Sequence, residues 1–142
     1  MAGLYVNVPT ANGKFATLDL HARAVFGLIW DRWRLSKDLH ENGNDRYMQK
    51  RRVRMCDVFP ERCQGDETMI TMGFIYCVFT QSELAVEIGC SERTIRRCID
   101  DLIRVGVVEA ERAGARGANR YFIPISVQRY FNPPEHRLSS DR

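Results

Sequence analysis

The stretch Thr80-Gln-Ser-Glu-Leu-Ala-Val-Glu-Ile-Gly-Cys-Ser91, continued by Glu92 to Val105 and then by Gly106 to Pro124, decides how this chain reads. Thr80 is a good N-cap, and Glu83 stands three residues on, where its carboxylate reaches back to the cap amide in a capping box. A helix is therefore predicted from Gln81. Leu84, Ala85 and Ile88 recur at helical spacing, and Gly89 offers a left-handed C-cap after about two and a half turns. Ser91 caps the next helix. There Ile95, Ile99, Leu102 and Ile103 form an apolar stripe with Cys98 at its edge, while Arg93, Thr94, Arg96, Arg97, Asp100, Asp101 and Arg104 point outward.

Gly106 ends that helix. Val107-Val108 and Tyr121-Phe122-Ile123 are two short β-rich runs, and Glu109 to Arg120 between them completes a predicted hairpin. Its loop, Ala113 to Asn119, carries two glycines and presents Arg116 near the tip, with Arg112 and Arg120 on the strands. Helix, tight turn, helix and basic hairpin together predict a winged helix-turn-helix. Either helix alone would favour an ordinary all-α core; the combination reverses that balance. The ligand expected is double-stranded DNA. Arg93, Thr94 and Arg97 are placed to enter the major groove, and Ser91 and Arg96 to meet phosphates at the helix N-terminus. Arg112, Arg116, Asn119 and Arg120 of the wing are expected at the adjacent backbone or minor groove.

The rest of the chain surrounds this unit. At 142 residues with 44% hydrophobic content it is long enough for one domain with its own core, and the predicted fold class is α+β, mainly helical. A net charge of +3 is mild, so the distribution of arginines matters more than their number. No apolar run approaches a membrane span or a signal segment, and the expected location is the cytoplasm, away from any membrane. Five cysteines without a C-x-x-C pair, and three histidines, point to no metal site and no cofactor. Cys77, Cys90 and Cys98 read as small buried hydrophobes. Cys56 and Cys63 sit in a loop and could bridge on oxidation, but in a reducing cytosol all five are expected as free thiols. No Ser-His-Asp order, paired carboxylates or Gly-rich phosphate loop stands out, so the chain is not read as an enzyme.

Residues 1–17 read as an N-terminal extended arm or hairpin, with Tyr5, Val6 and Val8 supplying β propensity and Asn12-Gly13 a turn. Residues 18–125 form the winged-helix domain. From Leu18 the pattern is helical to near Leu35-Ser36, with Leu20, Ala24, Leu28 and Trp30, together with Phe26, Ile29 and Trp33, forming an apolar surface predicted to back the two helices of the reading unit. Residues 44–72 are expected to be an inserted loop. Its basic block, Lys50, Arg51, Arg52 and Arg54, is a weaker candidate for phosphate contacts, since short charge runs are usually solvated. Phe74 to Phe79 then alternates as a strand. Residues 126–142, with Pro133-Pro134 and a Ser-rich end, read as the start of a linker.

The chain also resembles the N-terminal domain of the RepA_N plasmid replication initiators, from Tyr5 to Ile123. The matching residues are Leu18, Ala22-Arg23, Phe26, Asp31-Arg32, Leu35-Ser36, Asn42-Gly43, Phe79-Thr80, Glu83-Leu84, Gly89-Cys90-Ser91, Thr94, Leu102, Gly106-Val107, Arg112, Gly114 and Asn119-Arg120. The pattern departs at Ala118, where the family has proline, at Arg116-Gly117, where Gly-Lys is usual, and at Thr10. The resemblance implies binding to repeated sites (iterons) in a plasmid origin to initiate replication. It also implies a homodimer, with the N-terminal arm as one candidate surface. Host replication proteins would be engaged through a C-terminal domain absent from this chain, which is accordingly expected to be a fragment. Two alternatives keep the fold and change the ligand: a winged-helix transcriptional regulator at a promoter operator, and a protein-binding winged helix.

Overall fold

The computed structural model describes residues 8–10, 13–62, 65, 68–112 and 118–131. A 3-10 turn at Gly13–Phe15 is followed by α1 (Leu20–Glu41), β1 (Met48–Arg54), a one-turn α2 (Met55–Val58), a second 3-10 turn at Pro60–Arg62 and β2 (Met69–Phe79). Then come α3 (Gln81–Ile88), α4 (Glu92–Arg104), β3 (Glu109–Arg112), β4 (Asn119–Phe122) and α5 (Ile125–Phe131). The four strands make one sheet in the order β1-β2-β4-β3, with every neighbouring pair antiparallel. This is a winged helix-turn-helix of α+β class, as the sequence predicts.

Side chains alternate across the sheet, so Cys77 and Phe79 of β2 and Tyr121 of β4 share one face. They join the buried core with Val25, Phe26, Ile29 and Trp33 of α1, Leu84 of α3, and Ile95, Cys98, Ile99 and Leu102 of α4. Polar bonds fix α1 on this sheet. Trp33 Nε1 donates to the Ile75 carbonyl at 2.8 Å, and Arg32 Nη1 donates to the Val78 carbonyl at 3.0 Å. The Arg32 guanidinium also lies 3.6 Å from the centre of the Phe79 ring and 3.8 Å from the Glu83 carboxylate. Arg32 thus locks the end of β2 to the start of α3, which sets where the helix-turn-helix begins.

Several expectations are corrected. The region 44–72 is not a loop: it contains β1, α2 and the start of an 11-residue β2. In β1 the even positions Lys50, Arg52 and Arg54 are exposed and the odd positions Gln49, Arg51 and Val53 are half-buried. The period of two was there, but cations on both faces, Arg51 among the half-buried positions, hid it from a hydrophobic reading. α1 runs past Ser36 to Glu41, its last turn carrying a Lys37–Glu41 pair. The first wing strand is Glu109–Arg112 instead of Val107-Val108, which are buried in the connection, and the second is Asn119–Phe122. Residues 125–131 form a helix instead of linker. Phe131 at its end packs on α1, 5.0 Å from Trp30 and 6.0 Å from Phe26 between ring centres. Residues 132–142 lie outside the described residues.

At the other terminus Gly13 opens a 3-10 turn that buries Phe15, and Arg23 Nη1 donates to the Pro9 carbonyl at 3.1 Å. The remainder of the proposed arm, with Tyr5, Val6 and Asn12, lies outside the described residues. Cys56 is disulfide-bonded, contrary to the expectation of free thiols, while Cys77, Cys90 and Cys98 are free. No described helix is long and apolar enough to cross a membrane.

Candidate nucleic-acid interface

The two short helices form as their caps dictate. The Thr80 hydroxyl accepts from the Glu83 amide at 3.0 Å and the Glu83 carboxylate accepts from the Thr80 amide at 2.8 Å, which completes the capping box. Gly89 closes α3 at φ 83°, a left-handed conformation that strains any residue with a Cβ. Ser91 Oγ accepts from the Thr94 amide and donates to the Thr94 hydroxyl, both at 3.1 Å. Ser91 and Thr94 are therefore already tied to each other at the start of α4.

Along α4 the inward stripe is Ile95, Cys98, Ile99 and Leu102. Cys98 lies at its centre, not its edge, and burial pushes its thiol up to about 11. Ile103, counted in the stripe from spacing, is 42% exposed. Arg93 and Arg96 stand on the outward face and make no ion pair among the described residues. Arg97 does. Its guanidinium reaches Asp19 at 3.0 Å and Asp101 at 3.1 Å, which ties α4 to the residue that caps α1. Asp101 also pairs with Arg104 at 2.8 Å.

Arg96 lines a cleft of about 320 Å³ between the start of α3, the first turns of α4 and the base of the wing. Across it are Arg112 and Asn119, and its floor is the first turn of α3 at Gln81 and Ser82, with Glu92 as the one acid on the rim. Glu83 and Leu84 have their amides bonded to Thr80, leaving those of Gln81 and Ser82 without a partner among the described residues. Two guanidiniums, a side-chain amide and two free helix amides suit an anion of phosphate size. Gln81 and Ser82 were missed in the sequence. The capping box at Thr80 signalled the free amides, but nothing local signalled that the wing would face them.

The remaining candidates divide. Arg120 is half-buried, 4.7 Å above the Tyr76 ring and 3.6 Å from Glu111. Arg51 lies 4.1 Å from the Phe122 ring centre and 3.6 Å from Glu109. Both belong to the outer face of the sheet and are engaged there. Lys50, Arg52 and Arg54 sit on the opposite face of β1, Arg54 paired with Asp57 at 3.1 Å. Lys50 lies opposite Gly73, six residues along β2 from Phe79, hence about 20 Å from the α3 end of the sheet. The basic block is not beside the reading helix. Arg116 lies outside the described residues.

No family model matches the chain, and no curated protein matches it. The family resemblance therefore rests on the residues that carry it. Two solved structures are similar over 91% of the chain. One is described as the N-terminal domain of a DNA binding protein, at 13% identity, 87% of its own length and a TM-score of 0.49. The other is a structure of a Rep–DNA complex, at 14% identity, 88% of its length and a TM-score of 0.49. Likeness at that level does not bear on what this chain binds. Among the described residues no group of His, Cys, Asp and Glu could hold a metal ion.

Proposed function

We propose that the chain binds double-stranded DNA sequence-specifically at repeated sites in a plasmid replication origin, as a dimeric initiator of plasmid replication. The observation that supports DNA binding best is the placement of unpaired arginines. Arg93 and Arg96 on α4 and Arg112 on the wing have no acidic partner among the described residues, and Arg96 and Arg112 line one cleft with the free amides of α3. The origin-repeat part of the reading rests on the resemblance to the RepA_N initiators.

In this reading α4 lies in the major groove with Arg93 at base edges, where a bidentate contact to guanine discriminates by about 1–3 kcal/mol. A backbone phosphate sits between Arg96, Arg112, Asn119 and the first turn of α3. Arg97, held by Asp19 and Asp101, fixes the pose of α4 on α1; a base contact through it must share or break those pairs.

The test is a titration, at several salt concentrations, of the chain against duplexes bearing repeats from its own plasmid origin, promoter sequence or scrambled sequence. Selective binding to the repeats, lost in Arg93→Ala, is the expected result. Preference for the promoter duplex would favour a transcriptional regulator. Equal, weak binding to all three would remove DNA as the ligand and leave a protein partner for the arginine face.

A further inference from the structure

The far edge of the sheet carries a second recognition surface of different chemistry. Among the described residues β1 is a terminal strand, bonded on one side to β2. The hydrogen bonds from Tyr76 N–H to the Tyr47 carbonyl and from Met55 N–H to the Thr68 carbonyl, at the two ends of this ladder, fix its parity. Odd-numbered residues of β1 exchange bonds with β2. The even-numbered ones are Met48, Lys50, Arg52 and Arg54; Lys50 and Arg52 turn amide and carbonyl to the open edge, whereas the Met48 amide already donates to the Asp45 carbonyl at 3.3 Å. Those same positions project their side chains from a single face, and three of the four are cations. Lys50 and Arg52 are exposed and make no ion pair among the described residues. Opposite them on β2 stand Gly73 and Thr71, too small to cover them.

We infer that β1 is a docking edge for an extended acidic segment of a partner protein, which adds as a fifth strand. An added strand satisfies both the donors and the acceptors of the edge, which a nucleic acid backbone, rich in acceptors alone, does not. The ladder sets its sequence. Residues directly opposite Lys50 and Arg52 are acidic, because opposite charges paired across strands stabilise and like charges destabilise. The residue between them falls on the other face, opposite the half-buried Arg51, whose guanidinium is turned to Glu109 and the Phe122 ring, and diagonal to Val53, and is apolar. The motif is therefore acidic-apolar-acidic. A second copy of β1 does not meet this requirement, since antiparallel pairing of two such edges sets cation against cation. Nor does the chain's own segment 1–7, which contains no acid.

The probe is a labelled, end-blocked peptide of alternating Glu and Val, titrated by fluorescence anisotropy, with amide hydrogen exchange read residue by residue. Saturable binding is expected, together with slowing of exchange at Lys50 and Arg52 by at least about tenfold. The already bonded amides of Gln49 and Arg51 should change little. The Lys50→Glu/Arg52→Glu variant should lose this peptide and gain one of alternating Lys and Val. Arg52→Pro, which removes an outward donor without touching the β2 ladder, should weaken binding further than Arg52→Ala. Lys50→Gln/Arg52→Gln provides the same reading if the charge reversal unfolds the chain. No binding, or binding that leaves the Lys50 and Arg52 amides unprotected, overturns the inference. So does duplex DNA of arbitrary sequence that displaces the peptide and loses its salt dependence in the glutamine variant, which would make the edge a phosphate contact. None of these readings depends on the outcome at α4 and the wing.

Discussion

The outer face of the sheet and the end where α4 meets the wing are both rich in arginine, and they differ in what the arginines touch. Arg51 and Arg120 lie over the rings of Phe122 and Tyr76 and pair with Glu109 and Glu111 of β3. Arg93, Arg96 and Arg112 make no ring contact and no ion pair among the described residues, and two of them face a cleft floored by free amides. A stacked, paired guanidinium stabilises the fold that holds it. An unpaired one leaves its donors for a ligand. Charge counted along the chain does not separate these roles; the partners do.

The largest effect expected from this contrast is on binding. Arg96→Ala combined with Arg112→Ala should lower affinity for the preferred duplex by about 10- to 100-fold at moderate salt and reduce the salt slope by about two, one for each lost phosphate neighbour. Thermal stability should be unchanged within about 0.5 kcal/mol, because exposed side chains away from special features rarely matter more. A large drop in melting temperature with an unchanged salt slope would mean that the cleft belongs to the fold instead of the ligand.

Arg51→Ala should do the converse. It strips the cover from Phe122, which is only 3% exposed, and removes a contact of the cation–π kind, worth about 0.5–2 kcal/mol. The Glu109 pair, 3.6 Å long and with its carboxylate exposed, adds little. Stability measured by urea denaturation should fall by about 1 kcal/mol while DNA affinity holds. Loss of affinity without loss of stability would move Arg51 into the binding surface and blur the distinction between the two regions.

This contrast also marks what could be read from the sequence. The helix-turn-helix was legible because its determinants are local. Thr80 and Glu83, Gly89, and Ser91 and Thr94 act within four residues of one another, and caps leave a signature in consecutive letters. β1 was not legible, because its half-buried side holds one apolar residue between Met48 and Arg54, Val53, whose partner Ile70 comes from β2, and its other side is cationic. The fate of each arginine was hidden for the same reason. Arg51 meets Glu109 and Arg97 meets Asp19 only after the chain has folded, across separations that no local pattern encodes. Ile103 shows the reverse failure: helical spacing assigned it to the core, but it stands just past the rim of the buried stripe that Leu102 closes. At the carboxyl end, α5 was hidden by the polar, proline-containing sequence that follows it.

The finest test concerns the junction of the two helices behind the interface. Asp19 caps α1 by accepting from the Ala22 amide at 2.9 Å, and its other oxygen meets Arg97. The amide bond, and after it the Arg97 charge, hold its carboxyl below the ordinary value of 3.8. Asp19→Ala removes cap and ion pair together and should cost about 1 kcal/mol, most of it from the cap. Asp19→Asn keeps a capping oxygen and loses only the exposed pair, so its cost should be smaller. The sign of the pH dependence follows from the lowered folded value. The carboxylate's contribution is fully present above the unfolded pKa and is lost as the pH falls through the folded one. The gap between the native chain and Asp19→Asn should therefore be constant at neutral pH and close below about pH 4. If Arg97 holds the pose of α4, Asp19→Asn should also weaken binding to the preferred duplex more than to a scrambled one, even though residue 19 is assigned no DNA contact. Equal weakening on both duplexes would show that this junction supports the fold alone, and would return Arg97 to the groove.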